Sequence, residues 1–318
     1  MQVDLKPEEL FQYTGISPCP EDMNEFWDEA VKEMETLDPQ IELKRTLEWL
    51  ENVEAYDLYF TGVGGERIYA KYLRPANAKN APVIFSFHGY SGNSGSWLVF
   101  LYLVNQGFCV DALDCRGHDG KSEDMGGVKG NTLNGHIIRG LNSDSPKDLL
   151  FTKIFLDTAQ LVRIVEKFDE VNPERLYAMG GSQGGGLTLA CSALSPQIKK
   201  AAPCFPFLSD YKRVWEMDMD ERAYVELKQY FRSFDPRHEK IDETFLRLGY
   251  IDVQNLAPRI KAEVKMFTGL MDNVCPPSTQ FAAYNKITSK KEVIFYPDFG
   301  HEDLPDWNLI TLKWFMEK

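Results

Sequence analysis

The sequence predicts an α/β fold, a mostly parallel sheet flanked by helices, with an N-terminal extension and a helical insertion. Three observations predict it. From residue 82 onward, apolar runs of strand length alternate with stretches at helical spacing. Residues 82–89, PVIFSFHG, are almost continuously apolar, the pattern of a strand buried on both faces of a parallel sheet. Residues 175–186, RLYAMGGSQGGG, read as a short apolar strand that breaks into a glycine-rich turn before a helical run begins at 187–190.

In chain order, residues 1 to about 50 read as a helical, aromatic and acidic extension. Phe26, Ala30 and Met34 share one helical face there, which suits packing against the body. Residues 52–74 alternate through Val53, Ala55, Asp57 and Tyr59, turn at 62–65 (GVGG) and return through 68–73 (IYAKYL), a hairpin signal. After the apolar run at 82–89 come a helix around 96–106 and a strand at 108–113. The Gly-rich stretch 116–140 reads as long loop, where binding surfaces tend to sit. A helix over about 149–167 leads to the strand before the glycine-rich turn. A strand at 200–206 and a charged insertion over about 210–250, rich in Tyr, Arg and Glu, follow. A strand at 262–269, a helix at 278–287, a strand at 292–296 and a terminal helix complete the series. With no internal repeat, low-complexity tract or flexible linker, 1–318 is expected to form a single α/β domain.

Composition narrows the function. The 35 basic and 48 acidic residues leave a net charge of −13, which disfavours nucleic acid and anionic membrane surfaces and suits a neutral or cationic substrate. The first residues, MQVDLKPEE, lack a basic stretch followed by an apolar one, so no secretory signal is expected, and no run reaches the length of a membrane span. Cys19, Cys109, Cys115, Cys191, Cys204 and Cys275 follow neither C-x-x-C spacing nor a small-domain disulfide pattern. They read as thiols in a reducing cytoplasm, most of them buried as small hydrophobes.

The Gly-x-Ser-x-Gly turn at 180–184 places Ser182 on a nucleophile elbow. Such a turn strains the serine backbone, and Gly180 and Gly184 let neighbouring chain pass without a Cβ clash. The motif alone is common in loops; here a strand precedes it and a helix follows. A serine nucleophile needs a base, and the base needs an orienting acid. In the α/β-hydrolase architecture these follow in the order nucleophile, acid, histidine. Of five histidines only His238 and His301 come after Ser182. His238 lies in the charged segment DPRHEK and reads as a solvated surface residue, whereas His301, in FGHE after the last strand, is the candidate base. Asp272, on the loop beyond the strand at 262–269, is the candidate acid; Asp298 and Asp303 read as solvated carboxylates. Oxyanion stabilisation is expected from the backbone N–H groups of Gln183 and of Tyr90 in the loop 88–92. Tyr90 with Pro206 and Phe207 would wall a short acyl pocket, while Phe205 reads equally well as core. No H-x-x-H or H-E-x-x-H spacing and no phosphate-binding fingerprint is present, so neither metal nor cofactor is expected.

Several motifs together, Arg-Gly-x at 116–118, GGSQGG at 180–185, GHE at 300–302, HGYSG at 88–92 and DNVCPPST at 272–279, resemble those of carbohydrate esterase family 7, the acetyl xylan esterase and cephalosporin C deacetylase group. The resemblance spans most of the chain. It implies a serine esterase that removes acetyl groups from short xylooligosaccharides, other acetylated sugars and cephalosporin C. The implied triad is Ser182, Asp272 and His301, with Tyr90 and Gln183 donating to the oxyanion. It also implies a doughnut-shaped homohexamer whose active sites face an internal cavity and admit only small substrates. One position departs: members usually carry Arg-Gly-Gln, and this chain has His118, which puts the hydrogen bonding of that loop in question. Three readings compete. A broad short-chain carboxylesterase shares every feature above. A lipase or oligopeptidase is disfavoured by the missing apolar lid and the lack of room for a propeller domain. A non-catalytic binding protein would have lost the nucleophile or the base, and both are present.

Overall fold

Nine strands form one mixed sheet in the computed structural model, which describes residues 3–126, 136–219 and 222–317. They are β1 (Glu42–Thr46), β2 (Val53–Thr61), β3 (Arg67–Pro75), β4 (Ala81–Phe87), β5 (Cys109–Leu113), β6 (Val171–Gly181), β7 (Ile198–Cys204), β8 (Glu263–Gly269) and β9 (Lys291–Tyr296). Their order across the sheet is β1-β2-β3-β5-β4-β6-β7-β8-β9. The pairs β1–β2, β2–β3 and β3–β5 are antiparallel, and every pair from β5 to β9 is parallel. The loops after β4, β6, β7, β8 and β9 therefore emerge on the same edge of the sheet, where open α/β sheets gather their functional groups.

Alternation along the strands feeds two apolar layers. Val83, Phe85 and Phe87 of β4 join Leu176 and Ala178 of β6 on one face, under the helices Leu150–Val165 and Gln183–Leu194. Ile84, Tyr177 and Met179 point the other way, under the helices Leu101–Val104 and Trp307–Met316. Both faces being covered explains why β4 reads as a continuous apolar run rather than an alternating one. The hairpin turn falls at residues 62–65, between β2 and β3.

The N-terminal extension differs from a wholly helical reading. Its helices are Pro7–Leu10 and Met23–Glu35, and the second buries Phe26, Ala30 and Met34 together with Trp27, whose indole N–H donates to the Tyr250 carbonyl at 3.0 Å. Residues 42–46, ELKRT, instead form the edge strand β1, paired along its length with β2. Strong helix formers are overridden there by backbone pairing, and the exposed Glu42, Lys44 and Arg45 place charge along the free edge. The insertion contains the helices Tyr211–Glu216, Val225–Phe234 and Ile241–Leu248. Residues 127–135 of the Gly-rich stretch, 220–221 of the insertion and 1–2 of the extension lie outside the described residues. No helix among the described residues is long and apolar enough to cross a membrane.

One buried carboxyl sits in the sheet without a partner. Asp111 of β5 is fully buried and neither oxygen accepts a hydrogen bond among the described residues. Burial first, and then the Glu170 charge, push its carboxyl well above the ordinary range. A folded-state value above the unfolded one, about 3.9, means that the protonated group costs nothing extra at low pH. The cost grows as pH rises toward the folded value, by at most about 1.4 kcal/mol per pH unit. Asp111→Asn cannot ionise, so its melting temperature should gain on the wild type between pH 5 and pH 8. Thermal melts at both pH values test this; parallel melting temperatures would place the cost elsewhere.

Candidate active site

Ser182 stands at the end of β6, the first residue after the strand, with φ 57° and ψ −120°. This strained backbone is held on both sides. The Ser182 N–H donates to the Cys204 carbonyl at 3.0 Å, and its C=O accepts from Gly186 at 3.1 Å and Phe207 at 2.9 Å. The flanking glycines are required by close approach: a Cβ on Gly184 would lie 2.0 Å from the Phe87 carbonyl oxygen, and one on Gly180 would lie 2.6 Å from it. The elbow is thus wedged against the end of β4, the strand that leads into the Tyr90 loop.

His301 reaches this serine from the loop after β9. Its Nε2 lies 2.9 Å from Ser182 Oγ and its Nδ1 2.8 Å from Asp272 Oδ2. The Asp272 carboxylate is fully buried, and its other oxygen accepts the N–H groups of Val274 and Cys275, both at 2.8 Å. With Oδ1 so occupied, Oδ2 is directed at the imidazole. The arrangement fits the tautomer in which Nδ1–H donates to Asp272 and Nε2 accepts the Ser182 hydroxyl proton. The two loops are tied together by Met271 N–H to Phe299 C=O at 2.9 Å and Leu270 N–H to Tyr296 C=O at 3.0 Å. His238, by contrast, is exposed on the insertion, against Trp215 and Phe231.

Gln183 opens the helix behind Ser182, and neither its N–H nor that of Tyr90 has a protein acceptor among the described residues. Both amides are therefore free to donate to a bound group. The Tyr90 ring is half-buried, edge-on to Phe207 at 5.7 Å and His136 at 5.1 Å. Phe207 is buried and also meets Tyr224 of the insertion at 4.4 Å. Pro206 packs its backbone on the elbow helix, where a Cβ on Gly185 would come within 3.0 Å of its Cα. Phe205, equally readable as core, lays its ring against the His301 imidazole at 4.7 Å. The apolar segment 203–207 could have flagged this contact, since it is the loop of the strand next to β6.

Three features carried no usable sequence signal. Cys275 offers its sulfur beside Asp272 and His301, the three donor atoms lying within 4.8 Å of one another. A metal there would need a deprotonated thiol, which burial and then the Asp272 charge oppose by raising the Cys275 pKa well above its usual range, and it would take over the atoms that link His301 to Asp272. Glu226 of the insertion accepts the N–H of Ile137 at 2.7 Å and of Ile138 at 3.3 Å, tying the insertion to the chain beside His136. Burial pushes this carboxyl up to about 7 against the pull of those amides. Finally, His118, whose hydrogen bonding the sequence puts in question, lies 2.9 Å from the Gln183 side chain directly behind the elbow, a partner that no local signal names.

Comparison with known proteins shows the family of the chain. The family model for acetyl xylan esterase (AXE1) matches residues 1–318. Acetyl xylan esterase 1 from Thermoanaerobacterium sp. JW/SL YS485 is 54% identical and superposes with a TM-score of 0.96 over 98% of each chain. The acetyl xylan esterase from Paenibacillus sp. R4 is 32% identical, with a TM-score of 0.93 over 98% of this chain and 99% of that one. Acetyl esterase Axe7A of Xylanibacter ruminicola is 24% identical over 328 residues, spanning 100% of this chain and 71% of that protein.

Proposed function

Because the chain belongs to the acetyl xylan esterase family, α/β-hydrolase-fold serine carboxylic ester hydrolases, we propose that it deacetylates small acetylated sugars and cephalosporin C through Ser182, His301 and Asp272. The observation that carries this reading is the relay of two hydrogen bonds, 2.8 Å from Asp272 to His301 and 2.9 Å from His301 to Ser182, ending on a serine at φ 57°. Neutral His301 takes the Ser182 proton as Oγ attacks the acetyl carbonyl, and Asp272 stabilises the imidazolium. The N–H groups of Gln183 and Tyr90 receive the developing oxyanion. Collapse of the tetrahedral intermediate gives the acetyl-serine and, with the proton returned by His301, the free sugar hydroxyl. Water then repeats the cycle and releases acetate.

Acetyl selectivity follows from the walls around the elbow. Tyr90, Pro206 and Phe207 are stiff and tightly seated, so added methylenes on the acyl side meet atoms that cannot give way. A misfit of about 1–3 kcal/mol corresponds to a roughly 10–200-fold preference. Acetate should therefore exceed octanoate in kcat/KM among p-nitrophenyl esters, with acetylated xylooligosaccharides and cephalosporin C both accepted. Octanoate equal to acetate would instead favour the broad carboxylesterase. Reaction of only one acetylated alcohol would restrict the substrate range without touching the acyl pocket.

The same reading takes the whole chain as one domain, in the cytoplasm, in a homohexamer that screens substrates by size. The six free cysteines, five of them buried, support a reducing compartment. Light scattering should give six times the 36.4 kDa chain mass. A monomeric mass at high concentration would remove the enclosed cavity as the filter for small substrates.

A further inference from the structure

Three of the five histidines crowd the loop that carries Tyr90. His88 and His118 have ring centroids 5.6 Å apart, and His118 stacks on His136 at 4.0 Å. His88 is satisfied as a neutral ring: Nδ1–H donates to the Gly89 carbonyl at 2.8 Å and Nε2 accepts from the Cys115 N–H at 3.0 Å. His118 poses a conflict. Its Nδ1 lies 3.0 Å from the Arg116 carbonyl oxygen and its Nε2 2.9 Å from Gln183 Oε1, so both neighbours are acceptors. A neutral imidazole has one donor and one acceptor, and burial, the largest influence on His118, favours the neutral form.

The conflict disappears when the Gln183 amide is turned end for end. Amide oxygen and nitrogen are assigned from the hydrogen-bond network, and this network has one consistent solution. His118 Nδ1–H donates to Arg116, the Gln183 amide NH₂ donates to His118 Nε2, and the Gln183 amide oxygen faces the Cys115 sulfur, 3.9 Å from the other amide atom. An acceptor at position 118 is then what Gln183 requires. The amide oxygen of a glutamine there would serve equally.

The consequence is local to the proposed oxyanion donor. The peptide plane that carries the Gln183 N–H is pinned at its oxygen end, since the Ser182 carbonyl accepts from Gly186 and Phe207. At its other end the Gln183 side chain is fully buried, and its amide head is anchored on His118. His118 is itself held by the Arg116 carbonyl, and Arg116 by Asp157, Glu66 and the Val63 carbonyl. We propose that His118 is a positioning residue for ester hydrolysis, holding the Gln183 side chain so that its backbone N–H meets the oxyanion. This rests on the triad and oxyanion roles assigned above.

The test compares His118→Leu, His118→Gln, Gln183→Leu and the double variant His118→Leu/Gln183→Leu. The readouts are p-nitrophenyl acetate kinetics and the affinity of phenylboronic acid, whose tetrahedral serine adduct places an oxygen where the oxyanion forms. His118→Leu should lower kcat by about tenfold, less than outright loss of an oxyanion donor, with KM changed less than about twofold. Phenylboronic acid should weaken by the same factor, and His118→Gln should restore both. Gln183→Leu cuts the same contact from the other side, so the double variant should lose no more than either single one. Wild-type kcat in folded His118→Leu, a kcat loss without weaker boronate binding, or additive losses in the double variant would each overturn the proposal. Should His118→Leu fail to fold, Gln183→Leu and the failure or success of His118→Gln decide it. A fluorophosphonate that labels the wild type at a residue other than Ser182 would instead overturn the reading on which it rests.

Discussion

Ser182→Ala is expected to lower kcat by on the order of 10⁴ to 10⁶, with the protein still folded. The Ser182 hydroxyl is the only atom removed, and the contacts that hold the elbow are made by backbone: the amide to Cys204 and the carbonyl to Gly186 and Phe207. Alanine must adopt the same φ of 57°, which serine already tolerates at a cost. Circular dichroism and melting temperature should therefore stay close to wild type while turnover collapses. The paired measurement is mass spectrometry after a fluorophosphonate, which should add one label at Ser182 in the wild type and none in the variant. An active, labelled Ser182→Ala protein would move the nucleophile elsewhere.

The second large effect concerns stability. Arg116 is fully buried and makes a two-pronged pair with Asp157, Nε to Oδ2 and NH2 to Oδ1, both at 2.7 Å, with Glu66 3.0 Å from NH1. Burial works against the charge, but Asp157 and Glu66 outweigh it and hold the guanidinium above its usual range. Removing one partner from such a pair leaves the other under-compensated in the interior, which costs up to about 3–5 kcal/mol; here Glu66 stays beside the guanidinium. Asp157→Ala should lower the melting temperature by up to roughly 6–20 °C, taking about 2–4 °C per kcal/mol for a domain somewhat smaller than this one. The paired replacement Arg116→Leu/Asp157→Leu should cost less than the sum of its single substitutions, because neither member of the pair is left facing the gap of the other, while Glu66 keeps Lys153 at 3.9 Å. Additive losses would show that the pair is not coupled. Arg116 also carries the carbonyl that accepts from His118, so the single variant should lose activity along with stability.

The parts of the site that were legible in the sequence are those built from short-range rules. Gly180, Ser182 and Gly184 announce a turn whose close approach to Phe87 admits no Cβ. His301 could be separated from His238 because one follows a strand and the other lies in a charged segment that the structure leaves exposed. Asp272 was identifiable from its place just past an apolar strand, since functional groups at the carboxyl edge of a parallel sheet must come from the loops that end its strands. The edge strand β1 is not legible in the sequence, because its five residues carry no apolar alternation; pairing with β2 beside it makes it a strand.

The alternation of strands and helices, the elbow, and the order of serine, acid and histidine along the chain can all be read from residue order alone. These depend on local periodicity and on residues whose backbone preferences are strong. Which side chains meet across that order emerges with the packed sheet: Phe205 on His301, Glu226 under Ile137, Cys275 beside Asp272, and His118 on Gln183. The last pair is 65 residues apart, and nothing local to either directs it toward the other. Such contacts are set by the register of β4, β5 and β6 and by the length of the loops that leave them, quantities that exist only once the sheet has formed.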